Sequence, residues 1–221
     1  LRQVSNDIAH DLRTPLSRLC QGLNAARAKA ASAAEYEQAM DRAIAEAEGI
    51  LETFGALLRI AQIEAGSRRA GFRLLDLAEA ARTVLEVFEP VAEDQLHLLR
   101  AAIAPTAPIH GDRELLVQAL VNLIENALRH TPEGCAITVS VTAAEGVAEL
   151  AVADNGPGVP EGERARILDR FYRRETSRTT PGSGLGLSLV AAVAELHQAD
   201  LLVEDARPGL RVRMRFPRDG R

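Results

Sequence analysis

His10 is the first residue of this chain whose type and setting suggest reactivity. It stands in SNDIAHDLRTPLSRL, Ser5 to Leu19, where Leu1, Val4, Ile8, Leu12, Leu16, Leu19 and Leu23 recur at helical spacing as one apolar stripe. On that helix His10 falls about 175° from the middle of the stripe, so its ring is expected to face water. A solvated imidazole is substantially neutral at pH 7 and can act as a nucleophile. Thr14 lies one turn above it, with Arg13 also adjacent. Pro15 removes one backbone hydrogen bond and crowds the carbonyl of Asp11, bending the helix at a cost of about 3 kcal/mol. A cost of that size just past an exposed histidine suggests that the local geometry has a use. A surface histidine beside a tolerated kink is the bland alternative, and this segment alone leaves both open.

Three later segments have the chemistry of a phosphate and base pocket. In LVNLIENALRHT, the residues Val117, Leu120, Val121, Ile124 and Leu128 are expected on one helix face, with Asn122 and Asn126 about 145–175° away. Arg129 and His130 continue the polar face. Asparagine is a mediocre helix former, and its amide oxygen suits Mg²⁺, which makes Asn126 a candidate metal ligand. An ordinary solvated face is the competing reading. In ADNGPGVP, Asp154 ends an apolar run, and Gly156 and Gly158 permit a tight turn and close approach of a flat ligand. A carboxylate there could accept a hydrogen bond from an adenine amino group. In PGSGLGLSLVAAVAELH, Gly182, Gly184 and Gly186 run through Leu187 into a helix whose first N–H groups could face a phosphate. A dinucleotide fold also uses glycines in this way, and Asp205 lies at a suitable distance. However, the spacing is G-x-G-x-G and the preceding RTTP is no strand, so that fold is disfavoured.

The elements that must position these residues fall into two groups. A second helical stripe, Tyr36, Met40, Ala43, Ala47, Leu51, Phe54, Leu58 and Ala61, follows a turn near Lys29 to Ala34, and the pair reads as an antiparallel hairpin. Ile50, Leu57, Ile60 and Ile63 form a surplus apolar face. Pairing two hairpins into a four-helix bundle would bury it, which implies a homodimer, and packing on the rest of the same chain is the alternative. AGSRRAG reads as a linker. Beyond it, helices are predicted at Leu77–Val87, Arg113–Arg129 and Leu187–His197. Strands are predicted at Phe72–Leu75, Leu96–Ala101, Pro108–His110, Ala136–Thr142, Val147–Ala153, Asp200–Glu204 and Arg211–Phe216. This pattern predicts an α/β sandwich with helices layered on one face of a mixed sheet. Between Gly158 and Gly182, Arg164, Arg166, Arg170, Arg173, Arg174 and Arg178 are mostly expected to be solvated, and TSRTTPGSG is expected to be a mobile flap.

Composition sets the limits. With 47% hydrophobic and 26% charged residues the chain is globular, and a net charge of -5 argues against nucleic-acid binding by bulk electrostatics. Aromatics are only 3%, so the core must be aliphatic. Cys20 and Cys135 stand apart in no metal-ligand pattern and are expected to be small buried residues in a reducing compartment. No apolar run approaches the roughly 20 residues that span a bilayer. The chain opens on Leu1 rather than Met, so it is expected to be a piece of something longer, with any membrane anchor lying before it.

Taken together, these segments resemble the catalytic core of bacterial sensor histidine kinases, with a nucleotide domain of the gyrase/heat-shock-90/MutL ATPase type. HDLRTPL resembles the H box, NLIENALRHT the N box, DNGPGVP the first glycine box, ILDRFYR the F box and GSGLGLSLV the second glycine box, in the family's order. The resemblance implies an α+β chain: residues 1–65 a dimerisation and histidine-phosphotransfer hairpin, 66–71 a linker, and 72–221 the ATP-binding domain. It implies attack of His10 on the γ-phosphate of ATP, followed by transfer to an aspartate of a response-regulator receiver domain, possible regulator phosphatase activity, and a cytoplasmic location below an inner-membrane anchor. Asp11 is implied as the base, Thr14 as the residue positioning a dephosphorylating water, Asn126 as the Mg²⁺ ligand with Asn122 supporting its hydration, and Asp154 as the reader of adenine. Arg129 stands where a lysine near the phosphates is usual, and His130 where an aromatic commonly stacks on the base.

Two other functions fit part of the pattern. A hydrolytic ATPase of the gyrase or heat-shock type would place a glutamate base one turn before Asn126, where this chain has Asn122; Glu125 projects about 100° away. A catalytically weak dimeric scaffold would fail to bind an ATP analogue.

Overall fold

The computed structural model describes residues 16–17, 19–28, 32–64, 71–174 and 184–217. His10, Asp11, Thr14, Pro15 and Gly182 lie outside them, as do the first four residues of the leading stripe, linker positions 66–70 and flap positions 175–183. The chain divides into two compact units with the boundary between Ala61 and Gln62.

In the first unit, residues 19–28 (α1) are helical and Ala33–Glu64 (α2) forms a long second helix that runs past the boundary. Ser32 begins it: its Oγ accepts from Glu35 N at 3.3 Å, as an N-cap does. The two apolar faces of α2 fall the other way round from expectation. Leu57, Ile60 and Ile63, read as surplus, are buried within the single chain, whereas Tyr36, Met40, Leu51, Phe54 and Leu58 are exposed, Leu51 at 69%. The open face is therefore the regular stripe. Cys20 is exposed rather than buried; Cys135 is buried as expected.

The second unit is built on strand alternation. Arg73–Asp76 (β1) is followed by Leu77–Asp94 (α3), Leu98–Ile103 (β2), Pro108–Gly111 (β3) and Arg113–His130 (α4). Then come Ala136–Ala144 (β4), Val147–Asp154 (β5), a short helix Glu161–Arg164 (α5), Gly186–Leu196 (α6), Asp200–Asp205 (β6) and Leu210–Phe216 (β7). β1 and β3 pair by themselves, and a five-stranded sheet runs β2-β4-β5-β7-β6, with β2–β4 parallel and the other pairs antiparallel. Ile137, Val139 and Val141 of β4 and Leu210, Val212, Met214 and Phe216 of β7 are buried. The alternate residues of β7 are Arg211, Arg213 and Arg215, and Arg213 donates to Glu149 and Glu204 on the neighbouring strands. This period of two leaves one apolar face for α3, α4 and α6 to cover.

The helix predicted to stop at Val87 continues over Pro90 to Asp94. Proline there forfeits one hydrogen bond, but Ala92 beyond it is fully buried and α3 packs on both α4 and β2. Tertiary packing overrides the local break. Asp76 fixes the other end, its Oδ1 accepting from Ala78 N (2.9 Å) and Ala107 N (2.8 Å).

His197, just past α6, joins three elements. Its Nε2 accepts from Asp112 N at 3.0 Å, its Nδ1–H donates to Val193 O at 2.8 Å, and its ring stacks on Phe72 at 4.6 Å between centroids. Among the described residues no helix is long and apolar enough to cross a membrane.

Candidate functional site

The polar face of α4 forms one wall of the site. Asp112 caps the helix, accepting from Glu114 N (3.0 Å) and Leu115 N (3.3 Å). The buried row is Leu115, Leu116, Ala119, Leu120, Leu123, Ile124, Ala127 and Leu128. Val117 and Val121, expected on the apolar face, are only half-buried, and so are Asn122 and Asn126, expected on the opposite face as ligand-binding candidates. The helix packs against α3, α6 and the sheet together, which rotates its buried face away from the simple stripe. Glu125 is exposed.

Asn122 meets the second glycine segment directly. Its Nδ2 donates to Gln118 O at 2.8 Å, and its Oδ1 lies 2.9 Å from the point that a Cβ on Gly186 would occupy. Any side chain at 186 would displace the amide. Gly184, at φ +72°, accepts from Phe171 N at 3.1 Å, and a Cβ on it would lie 3.0 Å from the Phe171 backbone. α6 starts at Gly186 with Leu185 as N-cap, a residue with no side-chain oxygen to offer the first turn. Leu187 is half-buried in that turn. The first turn of α6 therefore stands against an amide-bearing face of α4. That arrangement suits an anion on the helix N-terminus and a hard cation on amide oxygen. Among the described residues no group of three His, Cys, Asp or Glu side chains could hold a metal. The oxygen-only amide donors fit Mg²⁺ shared with phosphates and fit a softer resident metal poorly.

Asp154 forms the other wall at the end of β5. Its Oδ1 accepts from Gly156 N (2.9 Å) and, across the sheet, from Leu210 N (3.3 Å). Burial raises its pKa above the ordinary carboxylate value, and these two N–H groups and nearby His130 work against that rise. His130 keeps solvent contact at the end of α4, yet partial burial lowers its pKa, as do Arg129, Arg173 and Arg174, while Asp154 opposes them. Arg129, His130 and Asp154 therefore share one electrostatic neighbourhood.

The turn after Asp154 is held by residues that spacing did not reveal. A Cβ on Gly209, at φ +110°, would lie 1.8 Å from Asp154 O, and one on Gly158, at φ +68°, would lie 2.8 Å from Gly209 O. Arg174 Nη1 donates to Gly158 O at 3.1 Å, and Arg164 Nε donates to Val159 O at 3.0 Å. These two arginines brace the turn and are not the solvated residues expected. Arg164 also pairs with Asp205, the carboxylate considered for a dinucleotide fold. That fold is excluded here, since α6 leads into an edge strand antiparallel to β7.

Residues 111–220 match the family described as histidine kinase-, DNA gyrase B-, and HSP90-like ATPase. The sensor protein IrlS of Burkholderia pseudomallei is 34% identical over 221 residues, covering 98% of this chain and 47% of the relative. The signal transduction histidine-protein kinase/phosphatase MprB of Mycobacterium sp. (strain KMS) is 36% identical over 214 residues, covering 94% and 41%. The chain thus spans less than half the length of these relatives. In fold, it is similar to the solved Acinetobacter baumannii histidine kinase AdeS, with a TM-score of 0.72 at 20% identity over 96% of this chain and 98% of that one.

Proposed function

Because this chain belongs to the sensor histidine kinases and spans their catalytic region, we propose that it phosphorylates itself on His10 from ATP and passes the phosphoryl group to an aspartate of a response-regulator receiver domain. The observation that carries the reading is the apposition of Asn122 and Gly186, which sets the first turn of α6 beside the amide face of α4, in the same unit as the Asp154 turn.

A nitrogen of the His10 ring attacks the γ-phosphorus; an N–P bond forms, the bridging P–O bond breaks, and ADP leaves. Asp11 orients the ring and takes its proton. Asn126 would hold Mg²⁺ and Asn122 would support its hydration, and the ion would supply charge neutralisation at the phosphates. Gly182, Gly184, Gly186 and Leu187 supply backbone around the phosphates, with Arg129 nearby. Asp154 accepts from the adenine amino group, Gly156 and Gly158 admit the base, and His130 lies at its edge. Phosphoryl transfer needs mainly positioning and charge neutralisation, which suits a pocket rich in amides and backbone N–H groups and poor in acid–base residues. Glu125 is exposed and Asn122 stands at the position of a hydrolytic base, which supports transfer over simple hydrolysis.

In this reading residues 1–65 dimerise and present the histidine, 66–71 link, and 72–221 bind ATP. The open Tyr36–Leu58 stripe is the surface that a second hairpin covers. The MprB relative is described as kinase and phosphatase, which supports a second role for Thr14 in hydrolysing the phosphorylated regulator. A transfer assay tests the reading. The chain is labelled with γ-labelled ATP and chased with purified receiver domains; label should leave the chain for an aspartate of its cognate regulator. Label that never leaves the chain for any receiver would contradict the second half of the proposal.

A further inference from the structure

The backbone at Gly156 does not require glycine, because its φ lies outside the left-handed region that Gly158 occupies. Space requires it. A Cβ there would lie 2.6 Å from Thr131 Cγ2, 3.1 Å from Thr131 Cβ and 3.1 Å from Asp154 Oδ1. Gly156 N in turn donates to that same Asp154 oxygen at 2.9 Å. The Thr131 methyl is thus the surface on which the turn after Asp154 sits.

Thr131 is itself fixed. It is the C-cap of α4, its N donates to Ala127 O at 3.1 Å, and its hydroxyl donates to the same carbonyl at 2.8 Å. Thr131 Oγ1 also lies 2.9 Å from Nε2 of His97, a buried histidine in the turn between α3 and β2. Nδ1 of the same ring faces Gln95 O, a carbonyl that can only accept, so in the neutral ring Nδ1 carries the proton and Nε2 is an acceptor that shares the Thr131 hydroxyl proton with Ala127 O. The ring is held from its other end by Gln95 O, 2.8 Å from Nδ1, and its backbone N donates to Ala92 O at 2.8 Å. No step in the proposed reaction uses His97 or Thr131, yet together they form a continuous chain of contacts to the carboxylate assigned to the base.

We infer that His97, acting through Thr131, is a positioning residue for adenine recognition. The ring fixes the hydroxyl, the hydroxyl fixes the methyl, and the methyl seats the Gly156 turn that orients the Asp154 carboxylate. This rests on the reading of Asp154 as the adenine acceptor and adds two residues to that site.

Calorimetric titration of the chain with ADP and with GDP tests it. His97→Leu and Thr131→Val should each weaken ADP binding by about fivefold, the factor carried by one net hydrogen bond, and weaken GDP binding less. His97→Gln keeps an acceptor towards the Thr131 hydroxyl and should retain the parental ADP-to-GDP ratio, which a merely structural histidine would not do selectively. Gly156→Ala should abolish ADP binding, and adding Thr131→Ser, which removes the obstructing Cγ2, should restore part of it. ADP binding by the parent chain together with an unchanged ratio in His97→Leu, or with no rescue of Gly156→Ala by Thr131→Ser, would overturn the assignment alone. A parent chain that binds no ADP would overturn the nucleotide reading and this assignment with it.

Discussion

At the scale of single residues, Asp154 is held in conflict between folding and binding. Burial raises its pKa, so the folded state binds its proton more tightly than the unfolded chain does. Ionisation therefore costs stability, and that cost appears as pH rises from the unfolded carboxylate range through the raised folded value. At neutral pH, Asp154→Asn should melt no lower than the parent, because the amide oxygen still accepts from Gly156 and Leu210. It should nevertheless lose about tenfold or more in adenine-nucleotide affinity, as expected when a charged acceptor is replaced. A variant that melts lower and binds equally well would show that the carboxylate serves the fold and not the base. Asp154 was legible in the sequence because a carboxylate followed by two closely spaced glycines ends an apolar strand. Gly209 and Leu210 were not, although they touch the same carboxylate, because the sheet brings them together across 56 positions. The roles of Arg164 and Arg174 leave no trace in the sequence for a similar reason: an arginine that donates to a loop carbonyl has the same local sequence as one that faces water.

At the scale of elements, alternation was the dependable signal. β4 to β7 emerged close to their predicted bounds, and the clear alternation of buried and less buried residues in β4 and β7 shows the signal at work. Packing outweighs local preference in the run of α3 across Pro90 and in the rotated buried face of α4, and neither is visible in the spacing. The joint at His197 likewise leaves no trace in spacing. It ties the end of α6 to the start of α4 and to Phe72, and it works only as a neutral ring that accepts from Asp112 N. Burial lowers its pKa, with the Val193 carbonyl and Asp112 opposing. The unfolded chain then binds this proton more readily, so stability is fully present above the ordinary imidazole value near 6.5 and is lost as pH falls from there towards the depressed folded value. Thermal melts between pH 7 and pH 5 should record this loss. His197→Gln should melt lower at pH 7 and show a flatter dependence over that window. An undiminished slope in the variant would remove His197 from the explanation.

At the scale of the whole molecule, Tyr36, Met40, Leu51, Phe54 and Leu58 of the α2 stripe stand exposed together with Leu16 and Leu23, a concentration of large apolar side chains of the kind that marks an interaction surface. Both apolar faces of α2 were legible in the sequence, but not which of them the single chain buries, since helical periodicity counts apolar faces without saying which the same chain covers. The chain should sediment as a dimer, and Leu51→Glu, at a position 69% exposed in the single chain, should raise the dimer dissociation constant at least about tenfold. A variant as dimeric as its parent would place the interface elsewhere.

Transfer of a phosphoryl group from ATP to His10 is the central step proposed for this chain. Incubation of the chain with γ-labelled ATP and Mg²⁺, followed by acid and base treatment, measures this directly. The expected result is a protein-bound label that acid removes and base leaves in place, and that is absent from His10→Gln. Label that survives acid, label that persists in His10→Gln, or ATP hydrolysis with no labelled protein in either chain would contradict it.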